Sequence, residues 1–317
     1  MVGEGRAVRW STHGWNRDLS WRLIRAIVPR VPPFLRPPIH LVTTLVCFAA
    51  MPRERRAARA NLERITGRRG AASLRTAFRL FYNFSKFMVA YTDVAGRRLE
   101  GASAARPLFD RLLARHRGLV VVTLHLGSWE VGLAHLAACG RPVHVVLRPG
   151  EAEGERHARA FRDRAGVRTV PAGESAWSSI DLLLALRRGE VVALQGDRAF
   201  GAAVREVPLC GAPMPIPAGP FLLAQAAGAP VLLVAVPFVG HRRARLIAEG
   251  PIEVGPGDEA LRKAMADFAR RVEAIVKRHP DQWFNFFRLW PGPRDADAAP
   301  DGRLDGVASS IARLPRS

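Results

Sequence analysis

Residues 119–130 are Leu-Val-Val-Val-Thr-Leu-His-Leu-Gly-Ser-Trp-Glu, and this stretch decides the fold. The apolar, β-branched run that leads to His125 is typical of a strand buried on both faces of a parallel sheet. Gly127 and Ser128 interrupt the run, and Ser128 is placed to cap a helix that begins at Trp129. The pattern therefore predicts a strand that delivers an imidazole to its carboxyl end, where parallel sheets bind their ligands.

Glu130 follows His125 by five positions and is predicted to lie in the first turn of that helix, facing the strand end. A carboxylate beside a histidine fixes the tautomer of the ring and stabilises the imidazolium that forms when a hydroxyl proton is removed. We predict His125 and Glu130 as catalytic residues, with the glutamate orienting the ring. The alternative is a structural histidine at a strand end beside a glutamate in a capping turn.

The chain after about residue 106 alternates apolar strands with amphipathic helices, which is typical of α/β proteins. Predicted strands are 119–124, 143–147, 191–195, 231–236 and 244–252, and predicted helices are 129–138, 153–165, 176–188, 217–227 and 258–279. We predict an α/β fold with a largely parallel central sheet flanked by helices. The predicted domains are a basic, amphipathic, membrane-associating helical region at 1–105, an α/β core at 106–292 and a polar, flexible tail at 293–317.

The composition limits the classes of partner. With 317 residues, 48% of them hydrophobic and 24% charged, the chain can bury a sizeable core, which excludes wholesale disorder. The net charge of +20 favours anionic partners: nucleic acid, an anionic membrane surface, or thioester donors that carry phosphates. The basic residues are scattered and no zinc finger or RNA-binding signature is present, so nucleic acid is not predicted as a partner.

Several other chemistries lack their residues. The nearest approach to a serine hydrolase elbow is Gly173-Glu174-Ser175-Ala176-Trp177, which lacks the final glycine. Neither a phosphate-binding P-loop nor a dinucleotide fingerprint occurs, and the histidines and cysteines offer no metal-ligand spacing. The three cysteines, Cys47, Cys139 and Cys210, are interpreted as small buried hydrophobic residues in a reducing compartment. We predict no metal and no cofactor.

Two N-terminal segments bear on membrane association. Residues 15–30 interleave Trp and Leu or Ile with arginine at helical spacing, which is typical of an interfacial helix or of an ordinary helix packed on the core. The longest apolar run is 39–51, thirteen residues between prolines, which is shorter than the 18 or more that a membrane span needs. We expect this run to enter one leaflet or to pack on the core, and not to cross the bilayer.

Two further strand ends carry charged residues. Arg148 follows the strand 143–147, and it is placed to bind a phosphate or an acyl-transfer oxyanion. Asp197 and Arg198 follow the strand 191–195; Asp197 is placed to contact the histidine or the acceptor, and Arg198 to pair with it. We predict that all three lie on the same edge of the sheet as His125, although a surface arginine and a structural Asp–Arg pair are the alternatives.

The composition of two further segments indicates their structural role. Residues 210–220 contain four prolines and are interpreted as a stiff loop that walls a hydrophobic channel and opens a helix. Residues 283–290 contain five aromatic residues, which we interpret as an apolar cluster closing the sheet in preference to a lipid contact.

Together these residues resemble a known superfamily. His125 and Glu130, with Gly127 and Trp129 between them, resemble the His-x4-Asp/Glu motif of the glycerophosphate and lysophospholipid acyltransferases. The longer pattern is similar to the branch that holds the bacterial lipid A late acyltransferases and the phosphatidylinositol mannoside acyltransferases. The segments that extend the match are Asn61-Leu62, Leu147-Arg148-Pro149, Leu186-Arg187-Arg188-Gly189-Glu190, Gly196-Asp197-Arg198, Pro217-Ala218-Gly219-Pro220, Gly228-Ala229-Pro230 and His279-Pro280-Asp281-Gln282-Trp283.

The resemblance implies transfer of a fatty acyl chain from acyl-CoA or acyl carrier protein to a hydroxyl or amine of a lipid or glycolipid, at the cytoplasmic face of the inner membrane. It implies that His125 is the general base, that Glu130 is its acidic partner and that Arg148 binds the oxyanion or the donor. Asp197 and Arg198 are predicted to share the role of Arg148 because of their position in the sequence. The alternative is a catalytically silent protein that binds anionic lipid or nucleic acid on the same scaffold.

Overall fold

The computed structural model describes residue 26 and residues 30–92, 97–115, 118–147, 159–160, 162–172, 176–199 and 203–290. The predictions for Arg148, for the helix at 15–30 except residues 26 and 30, and for the tail at 293–317 lie outside these residues. The predicted division into domains likewise stays a prediction.

The centre of the molecule is a six-stranded sheet. Its strands, in spatial order, are β10 (Ile247–Ile252), β8 (Val231–Val236), β2 (Leu119–Gly127), β5 (Val191–Gln195), β3 (Val143–Leu147) and β4 (Val167–Pro171). Strands β8, β2, β5, β3 and β4 run parallel, and β10 pairs antiparallel with β8 at one edge. The predicted α/β class with a mostly parallel sheet is therefore confirmed.

Helices cover both faces of the sheet. In chain order they are α1 (Arg36–Ala50), α2 (Pro52–Thr66), α3 (Gly70–Thr92), α4 (Ala102–Arg115), α5 (Trp129–Leu136), α6 (Ala176–Arg187), α7 (Gly219–Ala227) and α8 (Asp258–Arg278). On one face Val120 and Val122 of β2 pack in a cluster with side chains of α6, α7 and α8. On the other face Leu119 and Val121 pack with α4 and α5. Burial on both faces explains why β2 is apolar at almost every position.

Outside the central sheet the described residues form four further strands; three of them, and β4 within the sheet, were not predicted. Strand β1 (Arg98–Glu100) pairs with β9 (Arg243–Arg245), and β6 (Val204–Leu209) forms an antiparallel hairpin with β7 (Ala212–Pro217). The interpretation of residues 210–220 as a loop is wrong over 212–217, because prolines are tolerated in a two-stranded ribbon whose strands are both edges. The single strand predicted at 244–252 is divided into β9 and β10 at Leu246, whose N–H bonds to the carbonyl of Glu100.

Helix α1 has two contrasting sides. His40 and Thr44 are buried on the side that packs on α3, where the His40 ring meets Tyr82 edge to face. The opposite side and the turn before it expose large apolar side chains: Phe34, Leu35, Ile39, Leu41, Val42, Leu45 and Val46. We call these seven residues the α1 apolar face. Among the described residues, none of the helices combines the length and hydropathy needed to cross a bilayer.

Candidate active site

His125 and Asp197 meet at the carboxyl ends of β2 and β5. The two strands are parallel neighbours with Thr123 opposite Gln195, so the residues two positions further on come side by side. The ring Nδ1 of His125 lies 2.7 Å from Asp197 Oδ1, and the backbone N–H of His125 donates to Asp197 Oδ2 at 2.9 Å. One carboxylate therefore fixes both the backbone and the ring of the histidine.

Asp197 is buried and ionised. Its side chain is 1% exposed, and the indole N–H of Trp283 donates to Oδ2 at 2.6 Å. Burial raises the pKa of this carboxyl, but the neighbouring His125 and Arg198 and the Trp283 hydrogen bond outweigh it and lower the pKa to about 2. An ionised carboxylate can only accept hydrogen bonds. The proton of the neutral imidazole must therefore lie on Nδ1, which leaves the lone pair on Nε2.

The His125 ring is held neutral at physiological pH. Burial, and next the charge of Arg198, lower the pKa of His125, although Asp197 opposes them. The side chain is nevertheless 18% exposed, so a reactant can reach it. A neutral imidazole with a free Nε2 and a carboxylate behind Nδ1 is the arrangement of a general base.

Two glycines permit the close approach of the strands at this site. Gly127 has φ +64°, and a Cβ on it would lie 2.0 Å from the carbonyl oxygen of Val236 on β8. Gly196 lies between Gln195 and Asp197, and a Cβ there would lie 2.3 Å from a methyl carbon of Val122. Any side chain at either position would push apart the strands that align the histidine with the aspartate.

The His125 ring bonds to a different carboxylate from the expected Glu130, whose catalytic role stays a prediction. Glu130 lies in the first turn of α5 as expected, but its Oε1 accepts a hydrogen bond from Arg162 Nη1 at 2.8 Å, and the carboxylate that bonds the histidine ring is Asp197. Both side chains of the Glu130–Arg162 pair are almost wholly buried, at 3% and 0% exposed. A guanidinium buried this deeply requires a carboxylate beside it. Ser128 occupies the N-cap of α5, but its side chain makes no capping hydrogen bond.

We predict that Glu130→Gln affects the stability of the protein more strongly than its rate of turnover. Loss of one charge from a buried ion pair is expected to lower the free energy of unfolding by about 3–5 kcal/mol. Glu259→Gln is the matched control, because this exposed glutamate pairs with Arg262 on the surface of α8 and contributes little. Chemical denaturation measures both variants. An unchanged unfolding free energy together with abolished turnover would show that Glu130 acts on the reaction itself.

Arg198 holds the segment that supplies Trp283. Its Nε donates to Asn285 Oδ1 at 2.9 Å and its Nη2 to the carbonyl of Phe284 at 2.7 Å, and burial lowers its pKa to about 10. The N–H of Phe284 in turn donates to the His125 carbonyl at 2.8 Å. The described bonds of Arg198 are thus structural, and its assignment to donor binding stays a prediction.

The side-chain amide of Asn61 on α2 secures the same segment from the other side. Its Nδ2 donates to the carbonyls of Asn285 and Phe287, at 3.2 and 2.7 Å, and its Oδ1 accepts from the N–H of Leu289. Sequence reasoning interpreted residues 283–290 as an apolar cluster and did not find that Trp283 bonds to Asp197. It also missed Arg162, because nothing distinguishes that arginine from the many others in this chain.

An apolar pocket lies beside the site. A cavity of about 290 Å³ separates the sheet from α4 and α5, and its walls include Val121, Thr123, Trp129, Leu133, Leu147 and Gln195. Val121 and Thr123 line it from β2, whereas Leu124 and Leu126 belong to the core on the opposite face. His125 follows two residues after the pocket-lining Thr123, at the end of the same strand. No group of residues suited to holding a metal ion occurs in the described part of the chain.

The fold and the site define the class: an α/β protein with a histidine–aspartate pair at the carboxyl edge of its parallel sheet, next to an apolar pocket. The chain matches the model of the bacterial lipid A biosynthesis acyltransferases over residues 19–291. It belongs to that family, and it is therefore an acyltransferase that acts on lipid. A search of curated proteins found no significant match.

Proposed function

We propose that this protein transfers a fatty acyl chain from acyl-CoA or acyl carrier protein to a hydroxyl or amine of a lipid or glycolipid, with His125 as general base. The observation that carries the proposal is the bond between His125 Nδ1 and ionised Asp197, which leaves the lone pair of the neutral ring on Nε2. The identity of the family supports acyl transfer to lipid.

The proposed reaction has no covalent enzyme intermediate. Nε2 of His125 takes the proton of the acceptor as its oxygen or nitrogen attacks the thioester carbonyl. Asp197 stabilises the imidazolium that results. Collapse of the tetrahedral intermediate breaks the carbon–sulfur bond, and the proton passes from His125 to the departing thiolate. Arg148 remains the predicted donor of a hydrogen bond to the oxyanion. No step requires a cofactor.

The pocket supports a fatty acyl substrate. Its volume is close to the lower end of the range for ligand pockets, and its walls are mostly aliphatic and aromatic. An acyl chain lying there would place its thioester at the carboxyl edge of the sheet, where His125 lies. Incubation with palmitoyl-CoA tests the proposal: we expect consumption of the thioester that depends on His125, and consumption unaffected by loss of the ring would refute it.

We further propose peripheral association with the cytoplasmic face of the inner membrane through the α1 apolar face. Water-exposed apolar side chains on one side of a helix are typical of helices that lie in the interface of a bilayer. The next helix, α2, adds exposed arginines, among them Arg53, Arg56 and Arg64, which attract anionic lipid.

Removal of apolar area from α1 should weaken binding to vesicles. Val42 and Val46 are 61% and 56% exposed, and the double variant Val42→Glu/Val46→Glu is expected to lower affinity for anionic vesicles about tenfold or more. Leu184→Glu is the control, since Leu184 is similarly exposed but lies on α6. Sedimentation with phosphatidylglycerol vesicles measures the effect, and wild-type binding should weaken with salt. Equal binding of the two variants would contradict the proposal that α1 contacts the membrane.

A further inference from the structure

A second group of basic side chains lies near the site and takes no part in the reaction described above. Lys86 on α3 and Arg97, just before β1, both lie over the ring of Phe238, with Lys86 Nζ 4.9 Å and Arg97 Cζ 5.7 Å from the ring centroid. Arg97 Nη1 also donates to the carbonyl of His241 at 2.9 Å. The group, which we call the cation cluster, comprises His40, Lys86, Arg97 and His241.

The burial of Lys86 is unusual for a lysine. Lys86 is only 8% exposed, and its Nζ donates to the amide oxygen of Asn83 at 3.3 Å. Of the chain's 48 basic residues only three are lysines, and the other two, Lys263 and Lys277, pair with glutamates on the surface of α8. In the described part of the molecule Lys86 forms no such ion pair. A buried ammonium without a carboxylate partner is costly to maintain.

The charge that acts most strongly on Lys86 is that of Arg97, which has the same sign. Burial, and next the charge of Arg97, lower the pKa of Lys86 to about 8, although Asp281 opposes them. Asp281 is itself bound by Arg79, with Arg79 Nε 3.1 Å from Oδ2. Burial, and then the charges of His241, Lys86, Arg97 and Arg36, lower the pKa of His40 to about 4. At physiological pH His40 and His241 are therefore neutral, and the like charges here are the Lys86 ammonium and the Arg97 guanidinium, whose repulsion a bound anion would relieve.

The cation cluster lies on the same edge of the sheet as His125. Val236, at the end of β8, pairs with Gly127 of β2, and Phe238 follows two residues later. The N–H of Phe238 donates to Gln282, the neighbour of Trp283, at 2.7 Å. On its other side the cluster is bounded by α1, because His40 lies on the buried side of that helix and its Nδ1 is 3.0 Å from the hydroxyl oxygen of Ser85. The cluster thus lies between the α1 apolar face and the candidate active site.

From this placement we infer that the cation cluster is a phosphate-binding site that holds a phosphate monoester or diester of one of the two substrates while its reactive group lies at His125. The inference rests on the proposed acyl transfer. An ammonium, a guanidinium and a hydroxyl are the groups that proteins use to bind phosphate oxygens. Two sources share this chemistry, the headgroup of a membrane lipid and the phosphates of the CoA donor.

The scarcity of lysine makes a direct test possible. When its lysines are labelled with 13C at Cε, the protein gives three lysine signals in an NMR spectrum. The signal that is missing from the spectrum of the Lys86→Gln variant is assigned to Lys86. Its pKa is followed in the presence of inorganic phosphate, dihexanoyl phosphatidic acid, CoA or pantetheine, which carries no phosphate. A bound phosphate is expected to raise the pKa of Lys86 from about 8 to about 9 or higher. Pantetheine should leave it unchanged.

The outcomes separate the two sources. A response to phosphatidic acid alone assigns the site to the lipid, a response to CoA alone assigns it to the donor, and a response to both supports a site for phosphate in general. No response to any of the phosphate compounds, or an equal response to pantetheine, overturns the inference.

Variants provide a second readout. Lys86→Gln is expected to raise the dissociation constant of the responding ligand about tenfold or more, whereas Lys86→Arg, which keeps the charge, preserves most of the binding. Lys263→Gln, on the surface of α8, is the control. Binding to His125→Ala should equal that to wild type. If turnover proves independent of His125, the proposed function fails while the binding result stands. If turnover requires His125 but the pKa of Lys86 does not respond to any phosphate compound, this inference alone is refuted.

Discussion

His125→Ala is expected to lower kcat for acyl transfer by about 10²–10⁴-fold, because removal of a general base costs this much. The variant keeps the backbone bonds that hold the strand end, from His125 N–H to Asp197 and from Phe284 N–H to the His125 carbonyl. Asp197 also keeps its bond from Trp283. The fold should therefore survive, and initial rates of thiol release from palmitoyl-CoA with a lipid acceptor measure the loss.

His144→Ala is the matched control. His144 is also a strand histidine bonded to a carboxylate, with Nε2 2.6 Å from Glu190 Oε2, but it is the second residue of β3 and so lies toward the amino edge of the sheet. It should lower stability and leave turnover per folded molecule close to wild type. A similar loss of turnover in both variants, or nearly full turnover in His125→Ala, would contradict the assignment of the base.

The sheet was predictable wherever its strands are buried on both faces. The bounds of β3, β5 and β8 agree with the prediction, because continuous apolar runs end sharply at Gly, Pro or charged residues. Strand β1 could not be found in this way, since it is only three residues long and two of the three are charged. Strand β7 was hidden by its prolines, which are excluded from central strands but not from an edge.

The site was predictable in part. The strand pattern correctly placed His125 and Asp197 at neighbouring tips, but short-range spacing favoured Glu130 as the partner of the ring. The partner is decided instead by the register of β2 on β5, which a single sequence does not specify. The role of Trp283 could not be predicted for a similar reason. Its bond to Asp197 depends on how the segment after α8 folds back on β2, where Leu126 forms a β-bridge with Trp283.

The Asp197→Asn variant tests most directly whether Asp197 or Glu130 is the carboxylate that supports the His125 ring in the reaction. The amide that replaces the carboxylate can donate to Nδ1, which would move the imidazole proton to Nε2 and remove the base. It also removes the charge that stabilises the imidazolium. We expect kcat to fall by about 10²–10⁴-fold, of the same order as the loss of the corresponding aspartate in serine proteases.

The pH profile tests the reason for that loss. In wild type the lowered pKa of His125 keeps the base neutral above its ordinary value of 6.5, so kcat/KM should be level there and fall only in more acidic solution as the ring is protonated. Loss of the Asp197 charge removes a group that raises this pKa, so the acidic limb of Asp197→Asn should move to still lower pH. Glu130→Gln should leave the limb in place, because its carboxylate bonds to Arg162 and not to the ring. A limb that moves in Glu130→Gln and stays fixed in Asp197→Asn would reverse the two roles.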